Sequence, residues 1–337
     1  MGDVAMTVPV IYSLAHQYPN LRITVLSRPF ARTFFDNLAP NIGFMEADVK
    51  QEYHGVKGLN MLYRRLTAKN FTAIADLHNV LRSEYLRMRF NIDRYRVAHI
   101  DKHRAGRKQL IASTNKRLKQ QPTVFENYIE VFKKLGYPIK ADFKSIFPEA
   151  GGNIRLLPGS IGEKKKFQQW IGIAPFAAHQ GKIYPLIQME KVINILIYNH
   201  PSCHIFLFGG GGKEKKSIDE ITAKYKQCTN ASSTLAGLMQ ELILMSHLDV
   251  VISMDSANMH LASMTGTPVV SVWGATHPYA GFLGWNQSID NTVQIDLPCR
   301  PCSIFGERKC LRGDLACLKK IDPELIAGKV ERILQKK

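Results

Sequence analysis

Val250 to Pro278 reads VVISMDSANMHLASMTGTPVVSVWGATHP, and this stretch decides the fold. VVISM is a short β-branched run suited to a buried strand. Asp255, Ser256, Ala257, Asn258, Met259 and His260 follow at the junction with a short helix. Gly266-Thr267-Pro268 stops that helix, because Gly accepts a left-handed cap and Pro cannot continue the helix. VVSVW is a second buried strand. The unit is strand, polar turn, helix, strand, with Asp255, Ser256 and His260 at the carboxyl end of the first strand. In an open parallel sheet ligands bind at that edge, and a helix N-terminus suits a phosphate. Singly, Asp255 and Ser256 read as ordinary N-caps and His260 as a satisfied histidine. Together they point to a site.

Outward from this unit the alternation repeats. WIGIAP, CHIFLFG and the strands of the opening unit alternate with helices over PLIQMEKVINILIYNH, KEKKSIDEITAKYK and ELILMSHL. In the first half, RITVLSR, FTAIADLH and YRVAHI are strands, VPVIYSLAHQYPN and TVFENYIEVFKKLGY are helices, and DKHRAGRKQ is a basic loop. Thr7 is the expected cap of the first helix. Two doubly wound α/β domains facing across a cleft are implied. Expected boundaries are 1–155 for the N-terminal domain, 156–168 for a Pro- and Gly-containing linker with a short strand at NIRLL, 169–320 for the C-terminal domain and 321–337 for a closing amphipathic helix. Sequence begins inside the first loop, so the opening strand of the first domain is expected upstream of Met1; without it two strand edges lie unpaired.

The 337 residues suit two domains, and 45% apolar with 22% charged residues suits a folded chain. No run approaches the roughly 20 apolar residues needed to cross a bilayer, and a cytoplasmic location is expected. Net charge is +17, much of it in 82–119, where twelve Lys and Arg face three acids. Such a field attracts nucleic acid, anionic lipid or a charged glycolipid. No nucleic-acid motif or aromatic stacking platform accompanies it, so nucleic acid is not the expected partner.

The central stretch, D-S-x-x-M-H-L-A followed by G-T-P-V-V-x-x-W-G-x-T-x-P, resembles the signature of the ADP-heptose:lipopolysaccharide heptosyltransferases, glycosyltransferase family 9. Met1-Gly2-Asp3 with Thr7 and Pro9, IADLHNVLRS (74–83), IGIAPFAAHQGKIYP (171–185) and FLFGGGGKE (206–214) are similar to further motifs in the family's order. The resemblance implies the two-domain plan called GT-B, a final helix that crosses back to the first domain, and inverting transfer of heptose from ADP-heptose to lipopolysaccharide inner core. It makes Asp3 the base for the acceptor hydroxyl and Lys182 the cation facing the leaving diphosphate. It places Gly209, Gly210, Glu214, Asp255, Ser256, Ala257, Asn258, Met259 and His260 on the donor, with Glu214 toward the ribose. Ala257 stands where the family commonly has Gly. Four Gly in a row are by themselves only a permissive turn. His78, Arg82, Lys102 and Arg104 are the acceptor candidates, suited to carboxylates and phosphates of the core. Contact with the cytoplasmic membrane face is expected. Rival readings are a non-catalytic nucleotide- or glycan-binding descendant and a GT-B transferase of another sugar. The chemistry needs no cofactor. Cys299, Cys302, Cys310 and Cys317 have a spacing that could hold structural zinc, with disulfides or free thiols as alternatives.

Overall fold

A computed structural model describes residues 1–336. The chain divides into two compact units, one of Met1, 3–103 and 122–144, the other of Gly2, 104–121 and 145–337.

The first unit holds two parallel strand pairs. β1 (Ile23–Ser27) pairs with β2 (Ile42–Glu46), Ile23 opposite Ile42. β3 (Ala73–Asp76) pairs with β4 (Arg96–His99), Ala73 opposite Arg96. The pairs remain separate two-stranded sheets among the described residues. Both feed one core, in which Met45, Leu62, Tyr63, Leu66 and Phe90 are buried against Leu26, Ile74 and Val97. The Val124–Lys134 helix opens on a reciprocal cap: Glu126 N donates to Thr123 Oγ1 at 3.1 Å and Thr123 N to Glu126 Oε2 at 2.7 Å. Thr7 behaves otherwise than expected. A helical turn at Gly2–Ala5 runs almost directly into the Val8–Gln17 helix, so the Thr7 hydroxyl donates back to Val4 O at 2.7 Å and makes no cap.

The second unit is built on a six-stranded parallel sheet: β5 (Trp170–Ala174), β6 (His204–Leu207), β7 (Cys228–Asn230), β8 (Val250–Met254), β9 (Val269–Val272) and β10 (Thr292–Val293). Their order is β10-β9-β8-β5-β6-β7. β5 and β8 are buried at every residue, as apolar strands covered on both faces must be. They are the neighbours from which the chain winds outward in opposite directions, with Ile171 opposite Val250. This is the doubly wound order, and its crevice lies at the carboxyl ends of those two strands.

Several expectations are corrected. The 101–109 segment is not a loop: Arg104–Leu110 is helical, with Leu110 fully buried and the Arg107 guanidinium 4.4 Å from the centre of the Phe282 ring. Burial of that face draws 104–121 into the second unit. Residues 154–156 form a 3-10 turn rather than a strand, and the expected linker lies within the second unit, where Leu157 and Ile161 are buried. The closing helix, Pro323–Leu334, stays with the second unit, because Ile326, Ala327, Val330 and Ile333 fill its core beside Val192 and Leu196. Among the described residues no helix is long and apolar enough to cross a membrane.

Candidate functional site

Both polar turns singled out in the sequence arise at the crevice of the second unit. β5 ends at Ala174 and leads to the turn carrying Lys182; β8 ends at Met254 and leads to Asp255 and the Ala257–Met264 helix. Lys182 Nζ lies 3.1 Å from Asp255 Oδ2, the two side chains 15% and 6% exposed. Thr276 Oγ1 donates to the same Oδ2 at 2.8 Å. The cation is therefore held at a fixed point on the sheet edge, with ammonium protons left over for an anion.

Three contacts fix this geometry. Ala275 N donates to Gly181 O at 2.8 Å, tying the Lys182 turn to the segment after β9. Gly274 makes the approach possible, since a Cβ there would lie 2.5 Å from Gly181 O. Arg300, 4% exposed, braces the same segment by donating to Gly274 O, to Thr276 O at 2.9 Å and to Ile295 O at 2.8 Å.

His260 is buried on the first turns of the helix, and its Nδ1 has no hydrogen-bond partner. Burial, and then the charge of Lys182, push its pKa down to about 3, so the ring is neutral. Ser256 occupies the N-cap position with extended backbone but makes no capping bond; its hydroxyl instead lies 3.4 Å from that of Ser253. Ala257 and Asn258 are half-buried, whereas Met259 is fully buried and belongs to the packing of the helix.

The glycine loop is held by side chains of the second unit. Ser232 Oγ accepts from Gly209 N at 2.7 Å, and Glu214 Oε2 accepts from Gly210 N at 2.6 Å. These N–H groups already have partners within the chain. A Cβ at Gly209 would stand 2.8 Å from Ile218 Cδ1, so that side chain would have to shift to admit one. Glu214 keeps its second oxygen outside that bond.

In the first unit Asp3 is exposed on its helical turn, and its carboxylate makes no hydrogen bond or salt bridge among the described residues. His78 stands in a shared field: burial lowers its pKa, Asp3 and Asp76 oppose the shift, and Lys102 and Arg82 add to it. Asp3, His78, Arg82 and Lys102 are thus electrostatic neighbours. Arg104 lies on the helix that belongs to the second unit.

Sequence reading missed the frame beneath His78. Asp76, at the end of β3, accepts from His78 N and Asn79 N at 2.9 Å each through Oδ1, and its Oδ2 lies 3.0 Å from Arg87 Nε. Arg87 also donates to Asn79 Oδ1, and Asn79 to Ile100 O, both at 2.9 Å. Asn79 holds φ +47°, a value Asn tolerates. An acid ending a strand, followed by Asn, was the available signal. Thr276 and Arg300 gave none, being joined to the site only by the fold.

A cavity of about 460 Å³ also opens at the ends of β1 and β2, lined by Pro29, Glu46, Asp48, Glu52, Tyr53 and Arg65. Its three carboxylates would repel a diphosphate, and it contains none of the expected residues.

Of zinc, disulfides and free thiols, the states open to the four C-terminal cysteines, the structure has the free thiols. Cys299, Cys302, Cys310 and Cys317 line one small cavity of about 20 Å³, yet none is disulfide-bonded, and no three metal-capable side chains converge among the described residues. Burial pushes the Cys317 thiol up to about 11.

Comparisons with known proteins bear on the whole chain. Residues 60–309 match the model of glycosyltransferase family 9 (heptosyltransferase). The chain is 24% identical over 303 residues to the lipopolysaccharide core heptosyltransferase OpsX of Haemophilus influenzae, covering 88% of this chain and 82% of that one. Among solved structures it is similar to a family 9 glycosyltransferase of Veillonella parvula, with TM-score 0.72, 17% identity, and 100% and 95% of the two chains covered. It is also similar to E. coli heptosyltransferase WaaC solved with ADP-2-deoxy-2-fluoro heptose, with TM-score 0.65, 16% identity, and coverage of 100% and 96%.

Proposed function

This chain belongs to glycosyltransferase family 9, the heptosyltransferases, and is a glycosyltransferase; from that premise we propose that it moves a heptose from ADP-heptose to a sugar of the lipopolysaccharide inner core, with inversion. The observation that supports this reading most is the Lys182–Asp255–Thr276 group at the crevice of a doubly wound sheet, inside the matched region. A buried, oriented ammonium is what a departing diphosphate requires.

In the reaction the acceptor oxygen forms a bond to the anomeric carbon as the bond from that carbon to the β-phosphate oxygen breaks. Asp3 takes the hydroxyl proton; the electron pair leaves with ADP. Transition-state charge resembles that of other inverting sugar chemistry. Lys182 meets the growing negative charge on the diphosphate. The Ser256–His260 turn adds backbone N–H groups, and neutral His260 offers a hydrogen bond without a charge. Glu214 accepts from ribose hydroxyls through its unengaged oxygen. His78, Arg82 and Lys102 receive the anionic core, and contact with the cytoplasmic membrane face brings that glycolipid within reach.

Measurement of ADP release from ADP-heptose with and without core glycolipid tests the proposal. Acceptor-dependent release is expected, with D3N abolishing turnover while ADP binding persists. Donor binding without acceptor-dependent release would leave a non-catalytic binder; full turnover by D3N would remove Asp3 as the base.

A further inference from the structure

The Leu81–Ile92 helix is apolar on two sides. Its inner side carries Phe90, 2% exposed, and Leu86 into the core of the first unit. Its outer side carries Leu81, Met88 and Ile92, which are 85%, 50% and 67% exposed. At 3.6 residues per turn these three fall within about 40° of arc and span roughly 16 Å of helix. Single exposed apolar residues are common on any protein; an aligned row of three on one helix is not.

We infer that this row is a docking edge for an anionic lipid bilayer surface. Charge around it selects that occupant. Arg82 and Arg94 are exposed beside the two ends of the row, and the packed neighbour, the Gly55–Thr67 helix, shows Lys57 and Arg64 to solvent. Between Leu81 and Arg94 four arginines stand against Glu84 and Asp93, and Asp93 is already engaged by the Tyr63 hydroxyl. Apolar side chains entering the acyl boundary while arginines meet headgroup phosphates is the pattern of an interfacial helix. A second copy fits less well, since a two-fold contact along the row would set arginine against arginine.

Two further details agree. Tyr85 and Arg89 are turned aside, both bonded to Asn60 Oδ1 at 2.9 Å, which takes their own polar ends out of the row. Leu81 directly precedes Arg82 and lies three residues from His78, so the docking edge begins where the acceptor candidates lie. A core sugar carried on a membrane-embedded lipid would arrive at that end. This last point rests on the proposed function; the docking surface itself does not.

Co-sedimentation with vesicles of phosphatidylglycerol and phosphatidylcholine, against vesicles of phosphatidylcholine alone, is the test, using the full chain and the L81S/M88S/I92S variant. The substituted side chains are exposed, so the fold should survive, and turnover with a soluble deacylated core acceptor should be unchanged. Wild type is expected to bind the anionic vesicles, with the ratio of bound to free protein falling at least about tenfold in the variant and in high salt. Equal vesicle binding by wild type and variant, or no binding by wild type, would overturn the inference. So would a wild-type dimer that the variant converts to monomer, which would make the row a contact between copies. Failure of the soluble-acceptor assay in wild type would count against the transferase reading alone.

Discussion

Lys182 and Asp255 leave the sheet from two adjacent parallel strands and meet with Nζ 3.1 Å from Oδ2, both largely out of water. A cation set against an acid in this way is oriented before any substrate arrives. K182M should lower kcat by about a hundred- to a thousandfold, as loss of one preorganised charge at a developing oxyanion commonly does. Steady-state ADP release, with circular dichroism as the folding control, measures it; an unchanged kcat would remove Lys182 from the chemistry.

Breaking the same pair from the acidic side is a stability experiment as well. D255N leaves a buried ammonium without its counter-charge, for about 3 kcal/mol, or roughly 10 °C in Tm. T276V, which removes one donor to Asp255 Oδ2 and keeps the shape, should cost about 1 kcal/mol. A thermal melt ranks the two; D255N no less stable than T276V would mean the pair is not the stronger tie.

Arg87 supports the turn of His78, the proposed acceptor turn, through Asp76 and Asn79. R87M should free the turn that Asp76 and Asn79 hold, raising KM for acceptor about tenfold while KM for ADP-heptose stays put. R87K should recover little, since an ammonium cannot make both contacts at the guanidinium's fixed spacing. Equal changes in both KM values would point to general loosening of the unit instead.

Acid should weaken the second unit. His260 and His277 are held at about 3 and about 4 in the folded chain, against 6.5 when exposed, chiefly by burial. Below pH 6.5 the unfolded chain therefore takes up protons that the folded chain refuses, and stability falls as pH drops. From pH 7 to pH 5 each histidine contributes a loss of about 2 kcal/mol. H277Q should flatten the Tm profile over that interval; a profile as steep as wild type would show that the ring titrates normally.

All six cysteines should react with a thiol reagent after unfolding in denaturant without reductant. Native protein should react first at Cys299, which is exposed, and at Cys310; for the latter burial works against ionisation, but N–H groups of Leu315, Arg312 and Gly313 outweigh it and lower the pKa. Fewer than six thiols in denatured protein would reveal a cross-link.

The second unit was legible in the sequence because its strands announce themselves. VVISM, WIGIA and VVSVW are apolar on both faces, and no helical period mimics so short a β-branched run. β7 and β10 escaped, being three and two residues long and carrying Thr and Asn at the sheet margin. The polar turn could be read because Asp255, Ser256 and His260 are close in sequence. Thr276 and Arg300 could not, since they reach the turn only after β9 has paired with β8. The basic 101–109 stretch misled for a different reason: charge suggested solvent, but Arg107 buries its stem and guanidinium against an aromatic ring contributed by distant sequence.

Position 274 accepts no side chain, for Gly181 O and the Leu318 side chain already fill the space where a methyl would go. Laboratory evolution of a new nucleotide preference should accordingly recover almost nothing from the wedge that Gly181, Lys182 and Gly274 form. Gly211 and Gly212 face open space, although Gly212 keeps a φ of +65° that favours glycine. Gly211 is thus where a library can be diversified without collapsing the scaffold, and selected variants are expected to accumulate there.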